Sequence, residues 1–237
     1  MKKTFYNVLC IGTLLTGSSL FAQNKVKLGV DAGYTYSSFN TDISNLIDSK
    51  YKSRYGFGIN FSAEVSIWRS LFVSSGISYL QKNYEFQRTG SREGWYTKYD
   101  NDFLSVPVLV GGYILNDPNQ STGVWIKVAG GMYTEYWLSM KREGQCPAFT
   151  TLRPDGTLTY TKTSDKYDFD KNENQLKRFG YGLQGQAQLG YSFDKIDVYA
   201  SYNYQYGLSD ITKYNNNNRK TTRDSYMISA GVAYKFK

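Results

Sequence analysis

Hydrophobic and polar residues alternate along most of this chain. In YGLQGQAQLGYSF, residues 181 to 193, Tyr181, Leu183, Ala187, Leu189, Tyr191 and Phe193 hold one parity, while Gln184, Gln186, Gln188 and Ser192 hold the other. Successive side chains of a β-strand point to opposite faces, so this period of two predicts a strand with one apolar and one polar face. The pattern occurs eight times, the other segments running over about 25–38, 55–68, 71–83, 102–115, 122–137, 195–208 and 225–237. In the second of these, Tyr55, Phe57, Ile59, Phe61, Val65 and Ile67 stand opposite Gly56, Gly58, Asn60, Ser62, Glu64 and Ser66. In the segment over 195–208, Ile196, Val198, Ala200, Tyr202, Tyr204 and Tyr206 stand opposite Asp197, Ser201, Asn203 and Gln205.

Short and long connections take turns between these segments. Residues 69–70, 116–121 and 194 are tight turns, whereas 39–54, 84–101, 138–178 and 209–224 are long and polar. An even-stranded barrel of the outer membrane has short periplasmic turns and longer external loops. The expected fold is therefore all-β, an eight-stranded antiparallel up-and-down transmembrane β-barrel with short periplasmic turns and long extracellular loops.

Which face meets water decides between this barrel and a soluble one. A water-exposed surface normally carries about 25–35% charged residues. Here the polar parity is mostly Gly, Ser, Asn and Gln, which suits the crowded lumen of a narrow barrel. The apolar parity is rich in Tyr, Phe, Val and Ile, with no charge in the clean segments, as hydrocarbon requires. The chain starts with Lys2 and Lys3, an apolar run from Phe5 to Leu15 and then small residues up to Ala22, the layout of a secretory signal peptide over residues 1–22. The barrel domain is expected over 23–237, in the outer membrane of a Gram-negative envelope.

Composition narrows the function. Without residues 1–22 the chain keeps 26 basic and 20 acidic residues, a net charge of +6, which in an exported protein suits anionic lipid or surface polysaccharide and not nucleic acid. One cysteine, Cys146, remains, so no internal disulfide forms; it is either an incidental loop thiol or one that pairs between molecules. The absence of histidine removes the usual general base, zinc ligand and Ser-His-Asp arrangement, and a non-enzymatic protein without cofactor or metal is expected.

The signal-like start followed by KLGVDAGYTYSSF, DFLSVPVLVGGYI, FGYGLQGQAQLGYSF and the closing SYMISAGVAYKFK resembles the porin-like, PorT-like outer-membrane β-barrel family. The resemblance implies the barrel fold, insertion by the barrel machinery, and an association with protein secretion. The end departs from many such barrels, since Phe236 is followed by Lys237.

Several groups are candidates for function. Lys27, Asp31, Glu64, Lys127, Asp197 and Lys235 share the polar parity toward the periplasmic half, three of each sign, and are expected to form an ion-pair plug across the lower lumen, because an unpaired buried charge costs several kcal/mol. A proton or ion path is the alternative. Lys52, Arg54, Lys98, Lys141, Arg142, Lys177, Arg178 and Arg223 gather where strands become loops, at the height of lipopolysaccharide phosphates. An ordinary solvated rim is the other reading. TTLRPDGTLTYT resembles a hairpin turning at Pro154, Asp155 and Gly156. Asp168, Asp170, Asn172 and Asn174 alternate like a calcium loop, but Glu173 stands where glycine is needed and Phe179 where glutamate is, so the stretch reads as a polar loop. Pro107 inside a strand predicts a bulge.

The expected function is that of a filled barrel acting through its external loops in envelope integrity, adhesion or partner binding. Its alternatives are a small porin and an accessory barrel of a secretion system. Expected partners are outer-membrane lipid and lipopolysaccharide, the insertion machinery, and an extracellular or secretion-system protein.

Overall fold

The structure, a computed structural model, describes residues 25–41, 48–90, 93–152, 158–172, 174–213 and 220–236. Residues 1–22, read as a signal peptide, and the turn at Pro154, Asp155 and Gly156 lie outside them, as does the side chain of Cys146. The described residues form ten strands: β1 (Val26–Thr41), β2 (Ser49–Trp68), β3 (Leu71–Gln81), β4 (Tyr84–Arg88), β5 (Tyr96–Leu115), β6 (Gly123–Leu152), β7 (Leu158–Lys166), β8 (Phe179–Ser192), β9 (Ile196–Gly207) and β10 (Thr221–Phe236).

Eight of them close a ring, in the order β1, β2, β3, β5, β6, β8, β9 and β10, and β10 pairs back to β1 from Val26↔Phe236 to Thr41↔Thr221. Every pairing around this ring is antiparallel. The two remaining strands lie where long loops were expected. Strand β4 continues β3 after an interruption at Lys82 and Asn83 and sits between β2 and β5; β7 pairs with the outer half of β6. The hairpin read from TTLRPDGTLTYT has paired arms, with Thr151 opposite Thr159 and Leu152 opposite Leu158.

Burial follows the parity of the residues. Along β9, Ile196, Val198, Ala200, Tyr202, Tyr204 and Tyr206 are exposed, while the residues between them are buried. Large apolar side chains point outward all round the ring, Tyr34 reaching 73% exposure, whereas Lys27, Asp31, Glu64, Lys127 and Asp197 are buried. A molecule that exposes its hydrophobic residues and buries its charges is built for a nonpolar solvent, and closure of the ring leaves no strand edge unpaired within that band. Tyr36 lies 4.9 Å from Tyr55 and 5.3 Å from Tyr226, centroid to centroid, marking one aromatic level. The pairs Tyr191–Phe193 and Tyr234–Phe236 mark the other. Ten residue steps from Val26 to Tyr36, at ~3.3 Å each and a tilt near 40°, span about 25 Å, the height of an outer-membrane apolar band.

Pro107 produces no bulge. The β3–β5 register runs through it unshifted, from Ser75↔Val108 to Ser78↔Ser105, and Pro107 stays opposite Tyr133 on β6. Proline lacks an amide donor but its carbonyl is free, and the Ser75 hydroxyl donates to it at 2.9 Å. Within the ring the shifts in register occur instead at Ser66/Trp68, Asp102/Phe103 and Tyr113/Leu115.

Candidate functional site

The lumen is the site that the fold organises, and it is layered. In the lowest layer the register sets Glu64, Lys27 and Lys235 side by side across β2, β1 and β10. Glu64 takes ion pairs from Lys127 and, at 3.7 Å, from Lys27. Asp197 takes Lys27 at 2.8 Å and Lys235 at 3.2 Å. Tyr113 accepts from Lys27 at 2.6 Å and donates to Glu64. Lys235 also donates to the carbonyls of Pro118, at 3.0 Å, and Phe193, at 2.7 Å, tying two of the three periplasmic turns to the floor of the barrel.

The six charges expected to pair therefore resolve into five plus one. Asp31 lies four residues above Lys27 and faces Asn60 and Gly231 instead of a lysine. Its carboxylate accepts from Asn60 at 2.7 Å and from Tyr199 at 3.2 Å.

Aromatic side chains fill the rest of this layer. Phe72, Tyr113, Trp125 and Tyr199 are buried together, and Lys127 lies 4.8 Å above the Phe72 ring. Trp125 sits opposite Gly190, where a Cβ would come within 2.5 Å of the indole; Tyr133 sits opposite Gly182, where a Cβ would come within 2.7 Å of the ring. Inward glycines on β8 thus make room for inward aromatics on β6, a pairing across strands that packs a narrow barrel. These aromatics escape a reading by alternation because β6 is apolar on both parities there.

The middle layer is polar. Asn60, Ser78, Gln184, Gln186, Gln188 and Asn203 line a cavity of about 40 Å³, continuous in its lining with one of about 20 Å³ above and one of about 10 Å³ below. Gln186 donates to Asn203 at 2.8 Å and Gln205 to Gln184 at 2.8 Å.

The upper layer holds a second charge cluster. Lys82 and Glu135 form a buried ion pair at 2.5 Å, and Lys82 is wholly inaccessible. Arg223 lies 4.5 Å from the Trp137 ring and 4.6 Å from that of Phe103, with Nε and Nη2 unpartnered. Assignment of Arg223 to the external rim is thereby corrected. Strand β10 starts at Thr221, four residues before the expected 225, and this carries Arg223 on the inward parity into the lumen. A cluster of Phe103, Trp137, Met140, Tyr167, Phe169 and Ile211 caps the layer from outside.

The other seven rim residues stay at the external end. Lys52, Lys141 and Lys177 are exposed. Arg54 pairs with Asp100 at 2.6 Å, Arg142 with Asp165, and Arg178 with Asp170 at 3.7 Å. The hydrogen bonds that Arg142 donates to the Asp165 carboxylate raise its guanidinium above the ordinary pKa. Lys98 rests on the Tyr96 ring. Among the described residues Lys52, Lys98, Lys141 and Lys177 have no carboxylate within ion-pair distance. Asp168, the first residue of the calcium-like stretch, accepts the backbone N–H of Asp170 and Lys171, so its carboxylate holds its own loop. No cluster of metal-ligating residues occurs among the described residues.

An apolar exterior of bilayer height around a closed ring of eight strands with a charged, filled interior defines an integral outer-membrane β-barrel protein of a Gram-negative bacterium. The chain matches the model of the family described as outer membrane protein beta-barrel domain over residues 21–213, and it belongs to that family. Solved structures similar to it include Neisserial surface protein A, with 15% identity, a TM-score of 0.48, and coverage of 89% of this chain and 97% of that one. Ail, the attachment invasion locus protein of Yersinia pestis, shows 15% identity and a TM-score of 0.42 over 89% of this chain and 98% of its own. OprG from Pseudomonas aeruginosa shows 14% and 0.49 over 89% and 95%. No curated protein matches the chain.

Proposed function

We propose that the barrel is sealed and non-enzymatic and works through its extracellular surface, in envelope integrity, adhesion or partner binding, after export directed by residues 1–22. One observation carries the sealed reading. The five-charge network of Lys27, Glu64, Lys127, Asp197 and Lys235 crosses the lumen among aromatic rings, and the cavity at that level is about 10 Å³. A single water needs about 10–15 Å³, so the space at that level has room for about one water, which supports a lumen closed to hydrated solutes.

Planar-bilayer recording of the refolded protein, after a heat-modifiable gel shift has verified the barrel, tests this. The expected trace is silent. Stable conductance steps abolished by bulky substitutions at Asn60 or Gln186, which line the middle cavity, would overturn it in favour of a small porin.

At the rim, Lys52, Lys98, Lys141 and Lys177 are assigned to lipopolysaccharide phosphates, because among the described residues none of them has a carboxylate within ion-pair distance, whereas Arg54, Arg142 and Arg178 already hold one. Changing the four lysines to glutamine is expected to lower co-purifying lipopolysaccharide; an unchanged amount would remove the assignment. The accessory role in secretion that the PorT-like resemblance implies would show as co-purification with secretion components.

A further inference from the structure

Strand β7 keeps a free edge along its length among the described residues. The ring closes on itself and β4 is held on both sides, but β7 pairs with β6 alone. Tyr167 donates its N–H to the Met140 carbonyl, which fixes the phase of the ladder. In an antiparallel pair, residues that exchange hydrogen bonds alternate with residues that do not. Asp165 and Thr163 therefore bond toward Arg142 and Gly144, and the N–H and C=O of Lys162, Ser164 and Lys166 point away from β6. No backbone hydrogen bond reaches these three residues among those described, and residues 162–166 are all exposed. Lys166 lies opposite Lys141, five residues beyond the aromatic Tyr136, so the edge stands roughly 13 Å above the apolar band.

An exposed edge without proline is a template for another strand. Its side chains select which. Lys162 and Lys166 share one face with Ser164 between them, since residues i, i+2 and i+4 of a strand point the same way. A second β7 pairing antiparallel about Ser164 would set lysine against lysine, which is destabilising. A strand with carboxylates at the same spacing would be attracted.

We infer that β7 is a docking edge for an extended acidic segment of another protein, which adds to the sheet as a further antiparallel strand with two carboxylates, four residues apart, facing Lys162 and Lys166. The inference rests on the reading that this protein acts through its external surface, and it gives the partner a chemistry. Backbone hydrogen bonds supply the affinity and the lysines the selectivity.

The test uses the full refolded protein in phosphatidylcholine nanodiscs and a fluorescent, threonine- and valine-rich peptide carrying two glutamates four residues apart, read by anisotropy. Ser164→Pro removes an outward N–H and leaves the β6 ladder intact, and it is expected to weaken binding about tenfold, as is the double change Lys162→Glu and Lys166→Glu. The same peptide N-methylated along the edge that faces β7 should lose binding. Equal binding of the N-methylated peptide would reduce the site to a charge patch and overturn the inference; so would absence of binding to a barrel shown to be folded by its gel shift. Bilayer recordings on the same preparation separate the two readings. A silent barrel that ignores the peptide loses the docking edge alone, and a conducting barrel that binds it loses only the sealed lumen.

Discussion

The lower lumen holds three ammonium groups against two paired carboxylates, and the upper lumen holds two cations against one, yet the surplus charge is treated differently. Below, Lys235 spends its spare donors on the carbonyls of Pro118 and Phe193, and Lys27 on the Tyr113 hydroxyl. Above, Arg223 is left without a carboxylate and lies between the Trp137 and Phe103 rings. An ammonium is a compact, strongly hydrated charge that needs oxygens once buried, whereas a planar, weakly hydrated guanidinium can stack on aromatic faces. The lower layer is thus a network in which each carboxylate bridges two lysines. The upper one is a single pair with a stacked arginine beside it.

The largest effect expected from this difference is in the lower layer. Glu64→Gln leaves Lys27 without one of its two carboxylates and takes from Lys127 the one carboxylate it pairs with among the described residues. Removing one partner of a buried pair costs about 3–5 kcal/mol, read as a lower urea-unfolding free energy of the barrel in liposomes. A loss below about 1 kcal/mol, the value of an exposed pair, would mean that water reaches the network and the two layers are not distinct. Asp197→Asn sharpens the point. It also deprives two lysines, but Lys235 keeps its carbonyl partners, so the cost is expected near about 3 kcal/mol.

In the upper layer, Glu135→Gln strands Lys82 alone and belongs at the lower end of that range, about 3 kcal/mol. Replacing both Lys82 and Glu135 by methionine should restore most of it, because apolar side chains of similar volume often replace a buried pair without loss. Failure of the double variant to recover while it still folds would show that this pair positions its neighbours, as the lower network does.

The two layers also differ in how far they could be read from the chain. Lys27, Glu64, Lys127, Asp197 and Lys235 all stand on the parity opposite to the outward Val, Ile, Tyr and Phe of their segments, so parity alone sends them inward. Asp31 obeys the same parity, but parity says nothing about height, and four residues of rise separate it from the lysine row. Lys82 stands at a break between β3 and β4, where alternation ends. Arg223 precedes the apolar part of β10, in a stretch with water on its outer face and no hydrophobic contrast to mark it as strand. The same reason hid β7 and the outer half of β6. Beyond the bilayer both faces of a strand are wet, and the amphipathic signal that reveals the membrane segments vanishes.

The smallest expected effect is also the sharpest test of the contrast. Arg223→Met keeps a long flexible side chain between Phe103 and Trp137 and removes a charge that has no carboxylate to lose. Three contributions compete. The cation–π attraction is lost, up to about 2 kcal/mol when desolvated, while the cost of holding a charge out of water disappears and packing against the rings is retained. These nearly cancel, so stability should stay within about 1 kcal/mol of the parent, by the same liposome unfolding measurement. Lys127→Met in the lower layer should not be tolerated in this way, because it leaves Glu64 with the more distant Lys27 as its remaining cation. If Arg223→Met instead costs as much as Glu64→Gln, the guanidinium has partners of its own, such as ordered water reached through Nε and Nη2. The upper layer would then be a hydrogen-bonded network like the lower one and not a stacked cation.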